Sequence, residues 1–212
     1  MTGRLAGDTP GGAPAEGSGD HGAEGEGTLA APERILRAAR HCLLARGADG
    51  VTLQAVARAA GVSKGLVLYH FTDKETLLAR LAERLAAGVV ARERAALGAL
   101  APGAAIETMW EWLAGELARG DVRALVALAQ GGGEAVRRAA RRAGGERRAA
   151  AAASAAALFS ALGLRPRVPP PLLAEVMVAF VDGLALDVAL APDKEPRVAF
   201  DVFWLSLLSL AE

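Results

Sequence analysis

The stretch ILRAARHCLLARGADGVTLQAVARAAGVSKGLVLYHFTDKETLLARL, residues 35–81, decides the fold, because the helix stops it needs, and all but one of the starts, are written into it. Its first helix begins just upstream at Pro32, whose fixed φ and missing N–H suit the first helical position, and ends at Gly47, a residue type that accepts a left-handed cap. Ile35, Ala39, Cys42 and Leu43 then share one apolar stripe. Cys42 reads as a small buried hydrophobe, and His41 beside it points about 100° away, so the two form no dyad. After a turn at Gly50, Thr52 is placed to cap a short helix to about Ala60 that turns Leu53, Val56 and Ala57 inward, and Gly61 stops it. Ser63 caps a third helix, Lys64 to about His70, only two residues beyond that glycine. So short a link makes the pair a helix-turn-helix.

Thr72-Asp73-Lys74-Glu75 has the spacing of a capping box, with the Thr72 hydroxyl on the Glu75 N–H and the Glu75 carboxylate returning to the Thr72 N–H. A long helix follows, keeping Leu77, Leu78, Leu81, Leu85 and Val89 at helical spacing to about Leu97. It is long enough to leave the helix-turn-helix unit and act as a connecting rod.

Working outward, the 212 residues are 52% hydrophobic, ample for a core, and nowhere show the period-two alternation of strands. The expected fold is all-α. One cysteine excludes an intramolecular disulfide, and neither a CxxC pair nor a His/Cys cluster at zinc spacing occurs, so no metal and no cofactor are expected. That cysteine usage fits a reducing cytoplasm. Residues 1–31 are rich in Gly, Pro, Ala and Glu without an apolar core segment, which reads as a disordered tail and not a signal peptide. The longest apolar run, residues 172–190, is interrupted by Glu175, Asp182 and Asp187, so no membrane span is expected. Net charge is zero, yet residues 32–86 carry nine basic and five acidic side chains, a modest excess that suits a polyanion or merely a solvated face.

Toward the C-terminus the pattern predicts helices at 105–119, 121–130, 133–163 with an interruption at Gly144-Gly145, 171–190 and 196–211. The last two are apolar around most of their circumference, so something must cover a second face. A second copy across a two-fold axis, making a four-helix bundle, is the simplest cover, with Val176, Phe180, Leu184, Val188, Val202, Leu205 and Leu208 in the interface. Burial inside one subunit is the alternative. An enzyme finds little support: the histidines stand at 21, 41 and 70, and there are neither metal-spaced carboxylates nor a Gly-rich phosphate loop.

The ordered features I-L-x-A-A from Ile35, Gly47, Thr52, Val56-Ala57, Ala60-Gly61-Val62-Ser63-Lys64-Gly65, Tyr69-His70-Phe71 and Lys74-Glu75-x-Leu77-Leu78 resemble the N-terminal domain of TetR/AcrR-family transcriptional regulators. Further on, DGLALDVALAPD, residues 182–193, is similar to that family's dimerisation helix. The resemblance implies three parts: the tail 1–31, a helix-turn-helix DNA-binding domain 32–78, and a helical effector-binding and dimerisation domain 79–212. It further implies a homodimer on double-stranded DNA, repression released by a small-molecule effector, and an effector that tilts the 74–97 helix. Two recognition helices must sit about 34–36 Å apart to enter successive major grooves, so a small spread suffices. A helical interaction protein that has kept the fold without DNA binding is the rival reading.

On that reading the third helix, capped by Ser63, presents Lys64, Gly65, Val67 and Tyr69 to base edges, provided that Leu66 and Leu68 or Phe71 turn to the core. Thr52 and the N–H groups it leads, with Tyr69, His70 and Lys74, are the phosphate candidates, the last three resembling family positions. Lys74 stands where a cation opposes the helix dipole, odd for stability but sensible beside an anion; an ordinary surface lysine is the plain alternative. Leu68 replaces a tyrosine found in many relatives, leaving one phosphate contact in doubt. Met109, Trp110, Leu113, Phe159, Met177 and Phe180 are the candidate effector walls, although such residues at helical spacing also serve as core. Glu107 and Glu111 suit a cationic ligand or solvent, and the arginines at 137, 138, 141, 142, 147 and 148 suggest a second nucleic-acid or anionic-ligand site but, interspersed with small residues, read rather as a solvated face or a mobile connection.

Overall fold

The computed structural model describes residues 30–98 and 100–212, and the expected tail lies outside them except for its last two positions. Among the described residues the chain is helical throughout: α1 (Ala31–Arg46), α2 (Leu53–Ala60), α3 (Lys64–Phe71), α4 (Lys74–Leu97), α5 (Ala105–Arg119), α6 (Asp121–Gly131), α7 (Glu134–Ala161), α8 (Pro170–Leu190) and α9 (Pro196–Leu208). A single 3-10 turn at Pro102–Ala104 leads into α5. None of these helices is long and apolar enough to cross a membrane.

Local chemistry accounts for the first three elements. Pro32 stands in the first turn of α1, Thr52 Oγ1 accepts from Ala55 N at 3.1 Å to start α2, and Ser63 Oγ accepts from Leu66 N at 3.1 Å to start α3. Gly61, at φ +64°, ψ +40°, is the left-handed stop between the two short helices, a conformation that costs a residue with a Cβ roughly 1–2 kcal/mol.

The expected capping box does not form. Helix α3 runs on to Phe71, which leaves Thr72 as its C-cap at φ +57°, so the next N-cap falls one residue later, on Asp73, whose Oδ1 accepts from Thr76 N at 2.7 Å. That N–H donor holds the Asp73 carboxyl below its ordinary range. Glu75, freed from the box, reaches across the fold and accepts from Ala135 N at 2.8 Å in the first turn of α7.

The expected break at Gly144-Gly145 is also absent, for α7 is continuous over 28 residues. Two glycines cost a helix about 2 kcal/mol, but α7 packs on α4 and buries Val136, Ala139, Ala143, Ala150 and Ala151 along that face, and tertiary burial overrides local propensity. The small alanines let the two long helices approach closely.

Two apolar clusters result. One joins α1–α4 to α6 and the first half of α7, through Ile35, Val56, Val67, Leu77, Leu81 and Leu128. The other joins the end of α4 to α5, the second half of α7, α8 and α9, through Leu97, Met109, Phe159, Leu173, Phe200 and Trp204. Helices α4 and α7 both run through the two clusters and pack on each other, so together they join one end to the other. The link after α7 is held to the chain's end by Arg165 N donating to Glu212 O at 2.8 Å and the reciprocal bond at 2.9 Å.

Candidate nucleic-acid interface and effector cavity

Helix α3 has an inner and an outer face, and the structure corrects which residues lie on each. Val67 is fully buried and Phe71, four residues on, is buried beside it, so Val67 is core and not a base-reading residue. Leu68 takes the outward position instead. The exposed side comprises Lys64, Gly65, Leu68 and Tyr69, the last 81% exposed despite being aromatic. A large bare ring on a short helix is a poor arrangement for stability and a good one for contact with a partner. A Cβ added at Gly65 would approach only Ser63 Oγ, at 3.8 Å, so nothing within the chain demands glycine there, and the bare backbone is free to approach a duplex. The His70 ring, half-buried, meets the Tyr69 ring edge-on at 5.1 Å.

Thr52 and Ser63, both exposed, place the N-termini of α2 and α3 with their free N–H groups at the surface. Lys74 Nζ donates to Ala48 O at 3.1 Å, in the turn between α1 and α2. Its odd position in the first turn of α4 therefore has a structural cause: it ties the α1–α2 turn to the base of the connecting helix, and two of its three donors remain for a phosphate.

The opposite half of the molecule holds a small cavity of about 30 Å3 between α4, α5, α7 and α8. Met109 and Met177 line it, as expected. Leu113 and Phe159 belong to the core around it, and Phe180 stacks on Phe203 at 4.0 Å on the other side of α8. Trp110 lies against Phe200 at 5.3 Å with the Arg197 guanidinium 5.2 Å over its ring, and Arg197 also pairs with Glu107 at 2.9 Å, so that glutamate faces an arginine and not a ligand. The cavity's polar walls come from residues that sequence reading did not select: Glu93, Trp112 and Arg147. Arg147 was expected in a solvated run, yet it is 6% exposed and its Nη2 meets Asp182 Oδ1 at 2.6 Å. Its neighbours behave as surface residues, Arg137 and Arg141 pairing with Glu134, and Arg142 with Glu83.

A second unforeseen feature joins the two ends. Arg92 of α4 grips Glu116 of α5 through Nε–Oε1 at 2.5 Å and Nη2–Oε2 at 2.7 Å, and also reaches Asp121 Oδ2 of α6 at 2.8 Å. Asp121 Oδ1 in turn accepts from Arg40 Nε of α1 at 2.5 Å, and Arg40 also donates to the Arg119 carbonyl. Glu116 is 2% and Asp121 7% exposed, so these are nearly desolvated charges that need their partners. Hydrogen bonding from Glu116, then the two carboxylate charges, raises the Arg92 pKa further, against its partial desolvation.

Comparison with known proteins agrees with this geometry. Residues 35–81 match the family described as bacterial regulatory proteins, tetR family. Over that segment the chain is similar to the tetR family. Among similar proteins, the HTH-type transcriptional repressor Rv1474c of Mycobacterium tuberculosis is 37% identical over 97 residues, 43% of this chain and 51% of that protein. The chain thus spans about half the length of that relative. Two solved structures share the fold over nearly their whole length: Escherichia coli NemR in its reduced form (TM-score 0.69, 18% identity, 86% of this chain and 98% of that one) and Bacillus subtilis FadR in complex with stearoyl-CoA (TM-score 0.64, 18% identity, 83% and 96%).

On α8 and α9, Val176, Val202 and Leu205, expected in an interface between copies, are 52%, 60% and 69% exposed. Phe180, Val188 and Leu208 are half-buried. Leu184 is a correction: at 6% exposed it packs within its own subunit, because it faces α9 across the groove between the two helices.

Proposed function

We propose that this chain is a ligand-responsive transcriptional repressor that binds a two-fold operator as a homodimer in the cytoplasm and releases it when a small molecule enters the α4–α8 cavity. The observation that carries this reading is the outer face of α3, a Ser63-capped helix that leaves Lys64, Gly65, Leu68 and Tyr69 uncovered beside the free N-terminus of α2. Such a face fits a major groove, with Lys64 donating to a guanine or a phosphate and Leu68 or Tyr69 meeting a thymine methyl. Thr52, Ser63, Tyr69, His70 and Lys74 are assigned to the backbone phosphates. The uncovered aliphatic side chains of α8 and α9 support the dimer, which sets the spacing of the two α3 helices. The Arg92–Glu116–Asp121–Arg40 chain supports the coupling, since it fastens α4 to both ends of the molecule.

Gel retardation and fluorescence anisotropy on duplexes selected from genomic fragments test the reading. Lys74→Ala weakens binding to every duplex alike and makes the log–log salt slope shallower by about 0.9, one phosphate contact. Lys64 and Leu68 substitutions change which duplexes are preferred, by about 1–3 kcal/mol. An unchanged slope removes Lys74 from the interface, and failure to retard any duplex in low salt removes the function.

A further inference from the structure

The cavity between α4, α5, α7 and α8 is apolar over most of its wall, through Val89, Leu97, Met109, Ala151, Met177 and Val181, and is interrupted by three polar groups. Glu93 is 4% exposed, and its Oε1 accepts from Ser154 Oγ at 2.8 Å. Arg147 lines the cavity while Asp182, its partner, does not, so the guanidinium is pinned from the α8 side. Trp112 lines it too, and its indole N–H is buried without an acceptor. A buried donor of that kind is uncommon and is relieved by a ligand oxygen.

We propose that this cavity takes a small carboxylate on an apolar body, its head group accepting hydrogen bonds from Arg147 and the Trp112 indole beside Glu93. The proposal rests on the ligand-responsive reading above and names the class of ligand. The choice of head group follows from the donors on the wall. Asp182 offsets the Arg147 charge but takes one of its N–H groups, and the Trp112 indole N–H has no acceptor, so both leave donors for the cavity. A carboxylate accepts from both, whereas an ammonium head accepts from neither.

The charges around Glu93 agree with this assignment. Burial is the main influence and pushes its carboxyl above the ordinary glutamate range, with Glu116 of α5 adding slightly. The Ser154 hydroxyl, Arg147 of α7 and Arg94 of α4 pull the other way. Helix α8 offers the cavity only Met177, Val178 and Val181. A protonated Glu93 would be a further donor to an incoming carboxylate. At about 30 Å3 the space admits about one or two waters, so a ligand must displace the flexible Met109 and Met177 side chains and press α5 and α8 away from α4.

Calorimetric titration and intrinsic tryptophan fluorescence of the full chain with octanoate, octanol and octylamine test the proposal. Octanoate binds at least about tenfold more tightly than the other two. Its affinity rises as pH falls within the range where the probe itself stays ionised, because binding takes up a proton at Glu93. Glu93→Gln keeps the selectivity and flattens that pH dependence. Arg147→Gln removes the preference for octanoate over octanol, and Trp112→Phe, which stays aromatic but lacks the indole N–H, weakens octanoate by about threefold to tenfold and carries the test should Arg147→Gln not fold. Octylamine binding tightest, Glu93→Gln abolishing octanoate binding, or none of the three binding would overturn it. Release of a selected duplex is followed in parallel. Selective octanoate binding without release keeps the carboxylate site and removes the ligand-responsive reading, whereas release by octylamine or octanol keeps that reading and removes the carboxylate site.

Discussion

The two ends of the molecule satisfy their polar groups in opposite ways. In the helix-turn-helix unit the side-chain caps are local, each of Thr52, Ser63 and Asp73 bonding an N–H three residues ahead. In the C-terminal half the buried polar groups find partners far away in sequence: Arg92 with Glu116 and Asp121, Glu93 with Ser154, Arg147 with Asp182. The helix starts of the N-terminal unit are set by these local bonds, while Arg40 and Glu75 fasten it to α6 and α7. The long-range charge pairs lie astride a small cavity, so whatever enters it bears on them, as the proposed sensing requires.

The contrast is open to attack at several points. The largest effect falls on assembly: Leu205→Glu, placing a charge on the bare face of α9, yields monomers in analytical ultracentrifugation and lowers duplex affinity by at least about a hundredfold, through loss of the second half-site. A dimer that survives would place the interface elsewhere. Next is the long-range network. Arg92→Ala leaves Glu116 only its longer 3.7 Å pair with Arg119, and urea denaturation at neutral pH should show a loss of about 2–4 kcal/mol, the lower part of that range reflecting the partial exposure of Arg92. A loss below about 0.5 kcal/mol would mean that water replaces the arginine and that the network fastens nothing.

Val67 and Leu68 form a sharper pair, since sequence reading exchanged them. Val67→Ala removes two buried methyl groups and costs about 2 kcal/mol of stability, while Leu68→Ala stays within about 0.5 kcal/mol but alters duplex preference. The opposite outcome would return Val67 to the DNA face. Among the caps, Thr52→Ala and Ser63→Ala each cost about 1 kcal/mol. Asp73→Ala lowers the melting temperature while Thr72→Ala does not, which checks where α4 is capped. Smallest is a pH effect. Because folded Glu93 keeps its proton to higher pH than the unfolded chain does, the folded state binds more protons in that window, and stability falls as pH rises through it. Glu93→Gln flattens this part of the profile, and an unaltered profile would show the carboxyl to be hydrated.

Residues 35–81 were legible because glycine stops and hydroxyl caps act over three or four residues, so Gly61, Thr52 and Ser63 mark helix ends before any tertiary contact exists. Even there the reading slipped by one residue wherever packing cast the deciding vote: α3 extends one residue to bury Phe71, and the cap of α4 moves from Thr72 to Asp73. The continuity of α7 through Gly144-Gly145 was invisible for the same reason, since the helix is supported by α4 and not by its own propensities. Burial of Arg147 within an arginine-rich run left no local trace either, because Asp182, which neutralises it, lies 35 residues away.

Taken alone, the amino-acid order determined the all-helical class, the position of the helix-turn-helix and the length of α4, since periodicity and capping are properties of neighbouring residues. Which face of α3 looks outward, which glutamate and which arginine enter the cavity, and how α4 is fastened to both ends were decided only by the folded structure. Those outcomes depend on what a side chain meets across the fold, and a charge leaves water only where a distant partner of opposite sign is waiting for it.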